Sequence, residues 1–298
     1  MQQTGRFVYR TPGGLTVRRI EPAIGAEIEG AQLNQPISAQ HAADIRQALQ
    51  DHGVIFFRDQ PMTYEQHLAL ASVFGEIWIE GVLPDKPAVL PLVSDHGDFN
   101  KAGGHWHSDG TYLPVPPAVS VLYCHKAAPL GGDTLFSSAA AVWESLSPAM
   151  QEKIAPLWAK SSMNHIRKVK AESEIGVVGQ IQQELGPKIP DWAEHPVVRV
   201  HPLTGRPFVY VNEVHFYEII GLPKEEGDAL LRDLCDAFRK PEFQMRWKWT
   251  ENAIAIWDNW AVQHYAVRDE AGPRHVERIM THGLPTRSLA EERETAAA

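Results

Sequence analysis

The stretch GGHWHSDGTY, residues 103–112, holds two histidines and an aspartate within five positions. Read as a β-strand, it projects His105, His107 and Asp109 to one face, because side chains alternate with a period of two. A His-x-Asp pair can then offer an imidazole nitrogen and a carboxylate oxygen to one ion. Two histidines and one carboxylate on one side of an iron leave the other side open, the arrangement of non-haem Fe(II) oxygenases. A lone His-x-Asp is more often a structural or surface pair, so the reading needs a third ligand from a distant strand. His125, His165, His201, His215, His264, His275 and His282 are all candidates, and spacing alone does not choose among them.

The surrounding chain sets the class. It has 298 residues, 44% hydrophobic and 22% charged, a composition ordinary for a globular protein with a sizeable core. A net charge of -9 argues against a nucleic-acid groove or an anionic membrane surface as the main partner. No apolar run approaches a membrane span, and the N-terminus lacks the apolar centre of a secretory signal. With only Cys124 and Cys235 there is no disulfide framework and no multi-cysteine zinc site, which points to a reducing cytoplasm. The expected partner is a small-molecule substrate, with no nucleic acid and no membrane.

Local signals place helices and strands around the motif. Residues 38–52 read as a helix with Ser38 as N-cap, Ala42, Ile45 and Leu49 on one face, and Gly53 just past its end. Thr63 and Gln66 have capping-box spacing at the start of a second helix that stops at Gly75. SPAMQEKI begins another, with Ser147 as cap and Pro148 at its first position. Residues 222–240 form the clearest amphipathic helix. Short strands follow one another elsewhere: VIFFR, PVVRV, FVYVN, RWKWT, AIAIW and RIMTHG. Few helices, many short strands and no βαβ alternation predict a mainly β fold, a jelly-roll double sheet with flanking helices. One domain spans 1–298, with a polar insertion or lid over 158–195 and a frayed tail over 288–298.

Several segments occur in a fixed order: WHSDGTY (106–112), GGDTLF (131–136), HPLTGRPFVYVNE (201–213), PEFQMRWKWTENAIAIWDNWAVQHYA (241–266) and RIM (278–280). Together they resemble the taurine dioxygenase (TauD/TfdA) family of Fe(II)- and 2-oxoglutarate-dependent dioxygenases. The resemblance runs from GAEIEG (25–30) to RIM, and it implies a double-stranded β-helix core with helices packed outside. It makes His107, Asp109 and His264 the iron ligands, and it gives His105 no ligand counterpart, leaving it a pocket wall or a group behind the ligands. Arg278 then binds the distal carboxylate of 2-oxoglutarate through its planar fork, with Thr134 beside it. Arg274, next to Gly272 and Pro273, reads as a loop residue. Trp257 reads as packing, Asp258 and Asn259 as a turn that aims His264, and Trp247 and Trp249 as core.

The reaction implied is hydroxylation of an unactivated C–H by O2, coupled to decarboxylation of 2-oxoglutarate to succinate and CO2. Where the hydroxylated carbon bears a heteroatom, a C–S or C–O bond is cleaved. The substrate side departs from the taurine pattern. Glu80 and Leu83 fall where taurine-type enzymes carry histidine and tyrosine, and His282 replaces a further arginine. If the last strand is regular, Arg278, Met280 and His282 share a face; His105 and His215 complete the substrate-side candidates. An acidic Glu80 would repel a sulfonate, which makes taurine doubtful and favours a weaker anion, a neutral polar group or an amine. Two alternatives stay open: a cupin-like metalloenzyme that does without 2-oxoglutarate, and a non-catalytic binding module on this scaffold. The resemblance also implies a homo-oligomer, dimer or tetramer.

Overall fold

The computed structural model describes residues 7–96, 103–163 and 189–292. The first strands are β1 (Val8–Arg10), β2 (Thr16–Arg19), β3 (Ala26–Glu29) and β4 (Val54–Phe57). They are followed by β5 (Leu90–His96), β6 (Val119–Lys126), β7 (Thr134–Ser138) and β8 (Trp158–Ser161). The second half holds β9 (Ala193–Pro196), β10 (Val198–Val200), β11 (Pro207–Val209) and β12 (Phe216–Ile219). The last four are β13 (Gln244–Trp247), β14 (Ile254–Asp258), β15 (Val262–Ala266) and β16 (Ala271–Met280). Eight of them form one sheet in the order β1-β2-β3-β4-β14-β6-β16-β5, and β13-β7-β15 form a smaller sheet. Strands early and late in the chain thus become neighbours, as in the jelly-roll core that the sequence predicts.

Alternation sorts the large sheet into two faces. Leu122, Cys124, Ala255, Trp257 and Val276 point inward, where they meet Phe136, Met245 and Val262 of the small sheet in one apolar cluster. Val121, Tyr123, Ile254, Ile256 and Ile279 point outward into the main core. That outer face is covered by helices α1 (Ala39–His52) and α2 (Tyr64–Ser72). Burying a large apolar side chain contributes roughly 1.5–3 kcal/mol, so this parity is strongly specified in every central strand.

The helix starts follow the sequence signals. Ser38 accepts from the His41 amide, and Gly53 takes a left-handed φ of 72° at the end of α1. The capping box of Thr63 and Gln66 is formed in both directions. Helices α3 (Ala139–Ser145) and α4 (Pro148–Ile154) follow β7, the latter capped by Ser147, and α5 (Lys224–Ala237) is the amphipathic helix. Among the described residues no helix is long and apolar enough to cross a membrane.

The insertion expected over 158–195 has paired ends: β8 and β9 are antiparallel, Trp158 opposite Pro196. Residues 164–188, where a lid would sit, lie outside the described residues. The tail expected to fray from 288 begins pinned, with Ser288 bridged to Arg199 and its Oγ accepting from the Glu291 amide; residues 293–298 lie outside the described residues.

Candidate metal centre and active site

Residues 103–112 do not form the strand their spacing suggests. Only His107 is in β geometry, in an isolated bridge to His264, and residues 109–112 form a turn. The bridge itself builds the site. The His107 amide donates to the His264 carbonyl at 3.1 Å and the His264 amide returns the bond at 2.8 Å, so the two rings lie side by side, tilted by 43° with centroids 4.1 Å apart. The ring of His264 is backed by Trp257, whose centroid lies 4.9 Å away.

Asp109 is delivered by a side chain rather than by strand alternation. Asn259 accepts from the Asp109 amide at 2.8 Å and donates to its carbonyl at 2.9 Å, with a further bond to the Pro117 carbonyl. The next residue, Gly110, has φ +67°, and a Cβ there would lie 2.5 Å from Pro117 Cδ, so the chain can turn only with glycine. Asn259 therefore does more than shape the turn before His264. Asn259→Ala should destabilise the metal-free protein by about 2–3 kcal/mol and weaken metal binding roughly 10–100-fold. Denaturant unfolding and a metal titration measure the two effects, and unchanged metal affinity would show that Asp109 holds its place without Asn259.

The three side chains offer ligand atoms that all lie within 4.8 Å of one another. His107 Nε2 is 3.8 Å from Asp109 Oδ1, and His264 Nε2 is 3.8 Å from Oδ2. Nδ1 of His107 is 2.8 Å from the His105 carbonyl, a bond that makes it the donor nitrogen and leaves the Nε2 lone pair free. Burial, then the neighbouring His107, push the His264 imidazole down to about 3, so it is neutral at physiological pH. Burial acts to raise the Asp109 carboxyl, but Arg278 and then the two histidines hold it well below the usual carboxylate range. Two imidazoles and a carboxylate, with His264 neutral and Asp109 ionised, are donors of the type that divalent transition-metal cations take.

The family model described as "Taurine catabolism dioxygenase TauD, TfdA family" matches residues 16–280. The chain belongs to the TauD/TfdA family. It is a 2-oxoglutarate-dependent dioxygenase, an oxidoreductase. It is 31% identical to an alpha-ketoglutarate-dependent sulfate ester dioxygenase of Pseudomonas putida, covering 90% of each chain. It is 26% identical to an alpha-ketoglutarate-dependent 2,4-dichlorophenoxyacetate dioxygenase of Cupriavidus pinatubonensis, over 88% of this chain and 96% of that one. The crystal structure of AAD-2 in complex with Mn(II) and N-oxalylglycine superposes with a TM-score of 0.74 at 26% identity, covering 92% of this chain and 99% of that one.

The two arginines of this dioxygenase's last strand differ from the expectation. Arg274 is not in a loop: it lies within β16, four residues before Arg278 and on the same inward face. Arg278 is already committed. Its Nη1 is 2.6 Å from Asp109 Oδ1 and its Nη2 is 3.3 Å from Glu80 Oε1. Arg274 is buried and makes no salt bridge among the described residues; the Nε of each arginine is buried without a hydrogen bond. Burial, reinforced by Arg268, pulls Arg274 down to about 10. Beside it lie Trp249, which the sequence reading assigned to the core and which links Arg274 to the expected Thr134, and Gly132. Trp249 donates to Thr134 Oγ1 at 3.0 Å and lies under the Arg274 guanidinium, 5.9 Å from the ring centroid. Gly132, at φ +71°, leaves room for Arg274 Cδ, which a Cβ would meet at 3.1 Å.

The remaining expectations divide. His105 is not part of the ligand cluster: its side chain is 45% exposed and sits 3.8 Å from Glu213. His282 falls beyond the end of β16 and is exposed against Trp78, so strand alternation no longer applies to it. Leu83 packs against the main core. His215 is buried, with Nδ1 2.9 Å from Thr111 Oγ1 and its ring beside Tyr112. A second three-donor group, His125, His275 and Glu277, lies on the outer face of the large sheet. There Lys86 lies 3.2 Å from Glu277; the inner trio, built on the His107–His264 bridge, is the candidate metal centre.

Proposed function

We propose that His107, Asp109 and His264 hold Fe(II), and that the dioxygenase uses it with 2-oxoglutarate and O2 to hydroxylate a small organic substrate. The observation that carries this is the donor set itself: two imidazoles and one carboxylate, converging within 4.8 Å. The Nε2 of His264 lies 3.8 Å from Asp109 Oδ2, beyond hydrogen-bonding distance, which leaves that nitrogen open to a metal. Bound iron would supply O2 activation coupled to decarboxylation of the co-substrate to succinate and CO2. The chain's own residues position the reactants. Arg274, rather than the expected Arg278, takes the distal carboxylate of 2-oxoglutarate, with Thr134 accepting or donating beside it. A diacid whose keto end faces the metal has its other carboxylate at the far end of the molecule. Arg278, in direct contact with Asp109, is too near the metal to receive it.

The relatives' activities on sulfate esters and on an aryloxyacetate make oxidative C–O cleavage a product class open to this chain. The test is succinate formation from 2-oxoglutarate. It should require O2, be abolished by a chelator and return on adding Fe(II). Succinate formation that persists in the metal-free protein would overturn the proposal. Metal binding without any 2-oxoglutarate turnover would favour the binding-module alternative.

A further inference from the structure

Glu80 is a buried carboxylate that the metal site does not need. The segment before it is fixed by an Ile77–Thr281 bridge and by the Trp78 amide on the Met280 carbonyl at 2.9 Å. This places Glu80, 2% exposed, against Arg278. Arg278 is thus flanked by two carboxylates, Glu80 and Asp109. When Asp109 gives its charge to a metal, Glu80 still neutralises the guanidinium. Tyr112, near enough to Glu80 and Arg278 to feel both charges, forms a small apolar cluster with Leu113 and Met163, against which Trp78 and Ile189 pack. A substrate entering here meets an apolar wall and a carboxylate whose arginine is already paired. An anionic head would have to displace Glu80 from Arg278 and remain next to it where little water can screen the repulsion. A cationic or donating head meets an acceptor.

Resting on the metal-site reading above, we infer that this dioxygenase takes a substrate with an apolar body and a protonated amine received by Glu80. It discriminates against the sulfate esters and sulfonates named for its relatives. Glu80 is on this view the residue that sets specificity by charge.

The test uses two matched probes, hexylamine and hexyl sulfate, bound to the Fe(II)- and 2-oxoglutarate-loaded protein without O2 and measured by calorimetry. Wild type should bind the amine at least roughly 10-fold more tightly than the sulfate. Glu80→Gln frees Arg278 and removes the acceptor charge. It should reverse the order, a swing of roughly 100-fold in the ratio. Glu80→Asp keeps the charge and should keep the wild-type order, which separates charge from a folding defect. Equal or tighter sulfate binding in wild type overturns the inference, as does an unchanged ratio in Glu80→Gln or failure of both probes to bind. Basal O2-dependent succinate formation is followed in the same preparations. Its absence in wild type refutes the site reading beneath the inference. Its presence with the wrong probe order refutes the charge assignment alone.

Discussion

His264→Ala should lower 2-oxoglutarate-dependent succinate formation to background and remove bound Fe(II) from the protein. The ring contributes one of the three ligand atoms that the described residues bring together at the candidate centre. Its Nε2 faces Asp109, and its neutrality down to about pH 3 means no proton competes for the lone pair at physiological pH. Alanine keeps the backbone bridge between residues 107 and 264, because both of its hydrogen bonds come from main-chain atoms. The fold is therefore expected to survive while the metal is lost. Metal analysis and a succinate assay on the same sample decide the matter. Full activity with one ligand missing would mean that another histidine completes the centre, and His215, near Tyr112, is the first to test.

Arg274→Met should raise the KM for 2-oxoglutarate by roughly 100-fold, because a bidentate charge-assisted pair is worth up to about 3 kcal/mol. The same change should leave the ligand-free protein no less stable. Arg274 has its pKa lowered by burial, so its charge opposes folding fully below about pH 10, and that penalty is relieved only as the pH rises past this value. Arg278→Met should behave in the opposite way. It strands Asp109 and Glu80 as buried unpaired carboxylates, at about 3–5 kcal/mol of stability, and should change the co-substrate KM far less. Thermal unfolding of the metal-free variants and 2-oxoglutarate saturation curves measure both quantities. A large KM effect confined to Arg278→Met would return the distal carboxylate to that residue.

Much of the scaffold was legible locally. Ser38, Thr63 with Gln66, and Ser147 with Pro148 mark helix starts through bonds that span three residues, so the chain carries that information in short words. The apolar alternation of AIAIW likewise marks a strand with both faces buried, which β14 is. The His-x-Asp pair was visible, but for the wrong reason. Its two side chains converge because Asn259, 150 residues away, holds the Asp109 backbone, not because the segment is a strand.

From its residues alone, and by the resemblance those residues carry, the sequence determined the jelly-roll class, the caps and the residue types of the candidate metal centre. Tertiary structure alone decided which distant groups meet. Every histidine offers the same imidazole, and only the antiparallel bridge brings position 264 to position 107. Arg274 and Arg278 share a strand face and a chemistry, and what separates them lies across the barrel: Thr134 and Trp249 at one, Asp109 and Glu80 at the other. His282 lost its place because β16 stops at Met280; past the Ile77–Thr281 bridge its amide bonds the Glu76 carbonyl and its ring lies exposed against Trp78. These are contacts between residues far apart in the chain, and their energies depend on burial and on neighbouring charge, neither of which is written in any local stretch of sequence.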